Sequence, residues 1–180
     1  MKAAQDLPAA LDHVYRGCVG AAAVAIILMS LIVPVGVVLR YFFGVGAQWP
    51  EPIAILLMLV FTFIGAAAAY RAGGHIAVTM LTDRLAPGLQ RKMNLVIDGL
   101  MALVCLFVAG YGARLCYETM GQSIAELPWL PVGVTYAAIP IGSVITLLFV
   151  IENLLFGSQA NRPGVFIEEA GVDVATEGVL

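Results

Sequence analysis

The chain has 180 residues, of which 61% are hydrophobic and only 12% charged, and its formal net charge is −3. Soluble domains carry about 25% charged residues, and a soluble domain of this length leaves roughly 30% of its unfolded surface in water. The composition therefore excludes an ordinary soluble enzyme and a disordered chain, and the lack of a basic excess argues against nucleic acid as a partner. It predicts an all-α integral membrane protein.

The first predicted element is a short helix over about residues 5–16. Leu7, Leu11, Val14 and Tyr15 recur at helical spacing and would share one face. This pattern fits an amphipathic helix that lies in the membrane interface, and it fits equally well an ordinary polar lead-in. A similar stripe over residues 78–85 predicts a second interfacial segment.

Four stretches, each ended by charged residues, are long enough to cross a bilayer, because a spanning helix needs about 20 apolar residues. Backbone groups in lipid must bond internally, so each stretch is expected to be helical. The predicted spans cover residues 17–39, 52–70, 93–113 and 127–151. They form a membrane domain over residues 1–155, and an acidic tail over residues 156–180 is predicted to be disordered.

The distribution of Lys and Arg predicts the orientation of the spans. Seven of the nine basic residues fall in the N-terminal segment, the loop between the second and third spans, and the C-terminal tail. The opposite side has only Arg40 and Arg114. Both termini are therefore predicted to be cytoplasmic.

Few residues could carry catalysis or hold a cofactor. The three cysteines lack metal-binding spacing, and both histidines lie outside the predicted spans. We expect no enzymatic activity, no metal and no cofactor. A membrane anchor for a redox enzyme would need histidines within the spans. A self-sufficient transporter or channel would need a row of polar residues at mid-membrane. The first, second and fourth predicted spans contain no charged residue.

Asp98 is the one acid inside a predicted span, and acids within membrane spans are functional candidates by default. It follows Lys92 by six residues, or about 9 Å of helix, so it lies near the cytoplasmic edge. Asn94, one turn earlier, could bond to it. Helix packing is the favoured role, with a proton or ion site as the alternative.

Small residues are concentrated in two spans. Gly65 precedes four alanines, and Gly99, Gly110 and Gly112 lie along the third span. Small residues allow helices in lipid to approach closely. The pattern indicates internal packing, docking of another membrane protein, or both.

Three segments together resemble the small, DctQ-type membrane subunit of tripartite ATP-independent periplasmic (TRAP) transporters. They are RYF at residues 40–42 with WPE at 49–51, GAAAAYRAGGHIAV at 65–78, and GQS at 121–123 with Pro131, Tyr136 and PIG at 140–142. The resemblance covers about residues 10–155. One departure is Pro52, which takes the place of a second acid that the family commonly has after Glu51.

The resemblance implies a non-catalytic scaffold subunit in a bacterial inner membrane. It would dock, as one half of a heterodimer, on a large elevator-type permease subunit that carries the substrate and sodium sites. A periplasmic binding protein would deliver an organic acid, and phospholipids would surround the complex.

The motif residues are candidates for contacts with the partner or with lipid. We expect Arg40 and Glu51 to pair with each other or with the large subunit, unless they are simple charges at the membrane edge. Arg71 and His75 could bind lipid phosphates or the partner. The full set is Arg40, Trp49, Glu51, Gly65, Arg71, His75, Gln122, Tyr136 and Pro140.

Overall fold

The computed structural model describes residues 3–44, 46–73 and 87–156. Their elements, in chain order, are α1 (Ala3–Tyr41), α2 (Pro50–Arg71), α3 (Pro87–Thr119), β1 (Ser123–Ile124), β2 (Leu127–Pro131), α4 (Val132–Tyr136) and α5 (Ala138–Phe156). The predicted segment over residues 78–85 and nearly all of the predicted tail lie outside the described residues.

Four helical segments of the described chain are long and apolar enough to cross a membrane. They are Ala10–Tyr41, Pro50–Arg71, Lys92–Thr119 and Val132–Leu155, so the predicted fold class is confirmed. The two longest helices exceed the predicted spans. With 39 residues, α1 is about 58 Å long, nearly twice the thickness of the hydrocarbon core.

The predicted helix over residues 5–16 is not a separate element, because α1 continues through it without a break. The packed face of α1 explains this continuity. Tyr15, Cys18, Ala22 and Ala25 are all buried and recur at intervals of three or four residues. This stripe crosses the predicted boundary, so packing against the neighbouring helix favours one continuous helix there.

The fourth predicted span begins too early. Leu127–Pro131 is the second strand of a small antiparallel hairpin, in which Ser123 pairs with Pro131 and Ile124 with Leu127. A short helix, α4, follows, and the chain turns at Ala137 before α5. Pro140 lies in the first turn of α5, where its missing N–H breaks no helical bond. Apolar content alone could not reveal this hairpin.

The four long helices pack in the order α1, α2, α5, α3, so that α2 and α5 are central. We call this arrangement the helix layer. A buried apolar cluster lies where α1, α2 and α5 converge. The cluster contains Tyr15, Cys18, Ala67, Ala68 and Phe149. The small side chains of Ala67 and Ala68 let the helices approach there, which confirms an internal packing role for this end of α2.

Glycine determines the closest contact between the central helices. A Cβ atom built on Gly142 of α5 would lie 2.7 Å from Cβ of Phe63 and 2.8 Å from its carbonyl oxygen. Such distances are not tolerated by any residue with a side chain, so the α2–α5 contact depends on glycine at this position.

We expect Gly142→Ala to destabilise the protein, because the added methyl must push α5 away from the backbone of Phe63. Overpacking of this kind costs about 1–3 kcal/mol. Thermal unfolding of the purified protein in a mild detergent measures the effect. Gly110→Ala is the matched control, because a Cβ there meets no atom within 4 Å. Equal melting temperatures for the two variants would contradict the assigned contact.

Candidate functional site

Polar side chains from all four long helices meet at one end of the layer. The last turn of α2 contributes Tyr70 and Arg71, and the end of α5 contributes Glu152 and Asn153. Asp12 comes from α1, and Asp98 comes from α3. We call this group the polar belt; its members are Asp12, Tyr70, Arg71, Asp98, Glu152 and Asn153.

Arg71 is the centre of a buried ion cluster. Its Nε donates to Oε2 of Glu152 and its Nη2 to Oε1, both at 2.8 Å, so this pair is bidentate. The same Nη2 lies 2.7 Å from Oδ1 of Asp12. The side chain of Arg71 is 1% exposed, that of Glu152 0% and that of Asp12 27%. Such charges are stable in a low-dielectric interior only when paired with good geometry.

Two aromatic rings enclose the guanidinium. Its central carbon lies 5.6 Å from the ring centroid of Tyr15 and 5.2 Å from that of Phe149. The quadrupoles of aromatic faces attract a cation at these distances. The rings also exclude water, which strengthens the Arg71–Glu152 attraction.

Asp98 completes the polar belt on the other side of α5. Its Oδ1 accepts a hydrogen bond of 2.9 Å from the Tyr70 hydroxyl, and its Oδ2 accepts one of 2.9 Å from Nδ2 of Asn153. The residue is 9% exposed. Both carboxylate oxygens therefore bond to neighbouring helices, and these contacts favour the packing role. The expected partner Asn94 is exposed and does not supply them.

The polar belt changes the interpretation of three residues. Arg71 is a sequence candidate for binding lipid phosphates or a partner protein, but among the described residues its guanidinium is enclosed by α1, α2 and α5, and its side chain is 1% exposed. Glu152, which directly follows the fourth predicted span, belongs to the last transmembrane helix. Asp12 is an ion-pair partner rather than part of a polar lead-in.

The sequence contains a signal for this pairing. Arg71 ends the second predicted span and Glu152 ends the fourth, and the predicted topology puts both ends on the same side. Opposite charges at equal depth on adjacent helices are candidates for a pair. Which spans are adjacent could not be read from the sequence.

The opposite end of the layer, which we call the hairpin end, holds three other candidates. Arg40 is exposed in the last turn of α1, and Glu51 is exposed in the first turn of α2. Both line the same two cavities, yet neither forms an ion pair among the described residues. Trp49 directly precedes α2 and is 38% exposed.

The remaining candidates are spread over the layer. Gly65 faces Ala22 of α1, so it serves internal packing. Pro140 packs on Gly112 of α3. Gln122 is exposed, and its carbonyl accepts a 2.8 Å bond from the backbone N–H of Val132.

Two candidates need separate mention. Tyr136 is half-buried and lines one cavity at the hairpin end. His75 lies outside the described residues. In the part of the chain that the structure describes, no group of three His, Cys, Asp or Glu side chains could hold a metal ion.

Comparison with known proteins relates the chain to a family of transporter components. Residues 29–159 match a family model described as the DctQ component of tripartite ATP-independent periplasmic transporters. The chain is 31% identical over 128 residues to a protein of Haemophilus influenzae described as a TRAP transporter small permease protein. That match covers 71% of this chain and 79% of the relative.

Two further relatives are more distant. The ectoine TRAP transporter small permease protein TeaB of Halomonas elongata is 26% identical over 137 residues, which is 73% of this chain and 71% of the relative. An uncharacterized protein of Sinorhizobium fredii, y4mM, is 29% identical over 120 residues. These are 66% of this chain but only 22% of that longer protein.

We expect Glu152→Gln to destabilise the protein severely, because it leaves the buried Arg71 guanidinium without its bidentate partner. Removal of one member of a buried ion pair costs roughly 3–5 kcal/mol. Asp12→Asn should cost much less, because Asp12 is partly exposed. Thermal unfolding in detergent measures both variants. If the two substitutions cost the same, Arg71 does not depend mainly on Glu152.

Asp98→Asn should leave assembly and transport intact, because the amide oxygen still accepts the Tyr70 hydrogen bond. Asp98→Leu removes both hydrogen bonds and should lower the melting temperature. Co-purification with the large permease subunit and substrate uptake provide the readouts. Loss of uptake by a fully assembled Asp98→Asn complex would identify a proton or ion role instead.

Proposed function

Because the chain belongs to the DctQ family of components of tripartite ATP-independent periplasmic transporters, we propose that it braces a large permease subunit as a non-catalytic scaffold. It is a multi-pass small permease subunit, related to transporter proteins rather than to enzymes. Such subunits function with a large permease and a binding protein. The remaining details of this proposal concern coupling, substrate and the docking surface.

The position of the charges is the observation that carries the scaffold role. Residues 17–39, 52–70, 99–113 and 127–151 contain no charged side chain, so the middle of every span is apolar. The buried charges of the described chain lie in the polar belt at one end, where Arg71 pairs with Glu152 and Asp98 accepts hydrogen bonds from Tyr70 and Asn153. An ion or organic acid would need polar groups at mid-membrane, and these helices offer packing surface instead.

The transported substrate in this proposal is an organic acid, a carboxylate or sulfonate, and uptake is coupled to sodium. The binding protein captures the substrate in the periplasm, and the large subunit carries it across the inner membrane by an elevator motion. Both the substrate and sodium sites belong to the large subunit. The scaffold role requires only that this chain extends the static part of that subunit, which an apolar helix layer suits.

The docking surface in this proposal is the outer face of α3. Gly99, Leu103, Leu106 and Gly110 share that face, and the two leucines are strongly exposed. A Cβ atom on either glycine would meet no atom within 4 Å, so no residue of the described ranges fills the space beside them. Small residues of this kind permit close approach by a partner helix.

Reconstitution tests the proposal. We expect proteoliposomes with the large subunit, this chain, the binding protein and a sodium gradient to accumulate a radiolabelled organic acid. Omission of this chain should abolish uptake, and the chain by itself should transport nothing. Sodium-dependent uptake by this chain alone would show a self-sufficient transporter, and a haem spectrum of the purified protein would show a redox anchor.

Gly110→Leu tests the proposed docking surface in the same reconstituted system. It should reduce co-purification of the large subunit and uptake together, because the leucine side chain occupies the space that the partner helix needs. Gly20→Leu is its matched control, since Gly20 of α1 is equally open. Normal assembly by Gly110→Leu would exclude this face as the docking surface.

A further inference from the structure

Two cavities adjoin at the hairpin end, and they share Arg40, Glu51 and Ile55. One, of about 330 Å³, lies between α1 and α2, and residues such as Met29, Val33 and Met58 line it. The other, of about 420 Å³, reaches the hairpin and α4; charged and polar side chains lie beside apolar ones in its lining, and we call it the polar cavity. An apolar cavity joined to a polar one has the shape required for an amphiphilic ligand.

The two cavities adjoin at Arg40, Glu51 and Ile55, which we call the junction. Exposed aromatic side chains place the junction at the level of lipid headgroups. Tyr41, Phe42 and Phe43 follow Arg40 at the end of α1 and are all strongly exposed. Trp49 and Trp129 are exposed at the same end of the layer. Tyrosine and tryptophan gather at membrane–water interfaces, where their rings meet the headgroups. The apolar cavity therefore extends from the interface toward the hydrocarbon.

The charged side chains at the junction are complementary to a zwitterionic lipid headgroup. Arg40 makes no ion pair with any described residue, and a guanidinium binds phosphate through paired N–H donors. The polar cavity also has two carboxylates, Glu51 and Glu126. An anionic headgroup would be repelled by these acids, whereas a headgroup with a phosphate and an ammonium can satisfy both signs.

We propose that the joined cavities bind one phospholipid of the phosphatidylethanolamine class. Its phosphate contacts Arg40, its ammonium contacts Glu51 and Glu126, and one acyl chain lies between α1 and α2. Thr135 also lines the polar cavity, and its buried hydroxyl has no hydrogen-bond partner in the described structure. This inference does not depend on the proposed transport function.

A segment of the large permease subunit is the competing occupant. The apolar cavity favours lipid, because it lies between two spans at a depth where the surrounding solvent is hydrocarbon. The charge pattern also favours a headgroup, since ammonium and phosphate are linked at short range in phosphatidylethanolamine.

Native mass spectrometry of the full-length chain in a mild detergent tests the proposal. The protein is titrated with dioleoyl-phosphatidylethanolamine or dioleoyl-phosphatidylglycerol. We expect tighter binding of the ethanolamine lipid and a loss of about tenfold in its affinity for Arg40→Gln, the size expected for one charged hydrogen-bonded contact. Glu51→Gln should reduce the preference for ethanolamine over glycerol, because it removes a partner of the ammonium.

Matched controls separate this site from general surface charge. Arg114 and Glu118 are exposed near the same end of the layer and pair with each other at 2.8 Å, away from both cavities. Arg114→Gln and Glu118→Gln should leave both lipid affinities unchanged. Ala54→Leu fills the apolar cavity and should weaken both lipids equally. Thermal unfolding without added lipid checks that each variant is folded.

Three results would overturn the inference. Equal ethanolamine-lipid affinity for Arg40→Gln and Arg114→Gln would show that Arg40 is not a phosphate contact. An unchanged lipid preference in Glu51→Gln would remove the ammonium site. Reduced co-purification of the large subunit by Arg40→Gln, with lipid affinity unchanged, would assign the cavities to the protein partner.

Discussion

The buried pair of Arg71 and Glu152 is the constraint on which the helix layer depends. It joins the two central helices, α2 and α5, through two parallel hydrogen bonds in a place that water does not reach. Asp12 adds α1 to the same guanidinium, and the neighbouring Tyr70 and Asn153 attach α3 through Asp98. Apolar surface alone gives helices in lipid no hydrophobic drive to associate in one register, because lipid tails are as apolar as the side chains. The polar belt specifies which turns of the four helices lie together.

The two ends of the helix layer therefore differ in how their charged side chains are paired. At one end, the guanidinium of Arg71 is buried and paired with Glu152 and Asp12. At the hairpin end, Arg40 and Glu51 line cavities and have no ion-pair partner among the described residues. Rigid packing at one end and open polar groups at the other suit a subunit that must be stable by itself and still bind its surroundings. The functional contacts of the chain are thus expected at the hairpin end and on the outer faces.

Much of this architecture could be predicted from the sequence, because long apolar runs ended by charges have few alternatives in lipid. The four spans and the family follow from such local patterns. The polar belt could not be predicted, because it depends on the order in which the helices pack. Leu127–Pro131 was misassigned because an apolar strand and the start of an apolar helix have the same composition. The helix boundary predicted before residue 17 was wrong for a different reason. The buried stripe of α1 continues across this position, although the sequence changes there from polar to apolar.

The polar belt also has a consequence for the order of synthesis. Its members come from near the beginning, the middle and the last helix of the described chain, from Asp12 to Asn153. Chains emerge from the ribosome starting at the N-terminus, so Arg71 enters the bilayer before Glu152 has been translated. Until then the nascent protein holds an arginine at the membrane edge without its main partner. Insertion of the final helix is thus the event that commits the molecule to its mature arrangement, and in a truncated product Arg71 would have Asp12 as the only one of its two carboxylate partners.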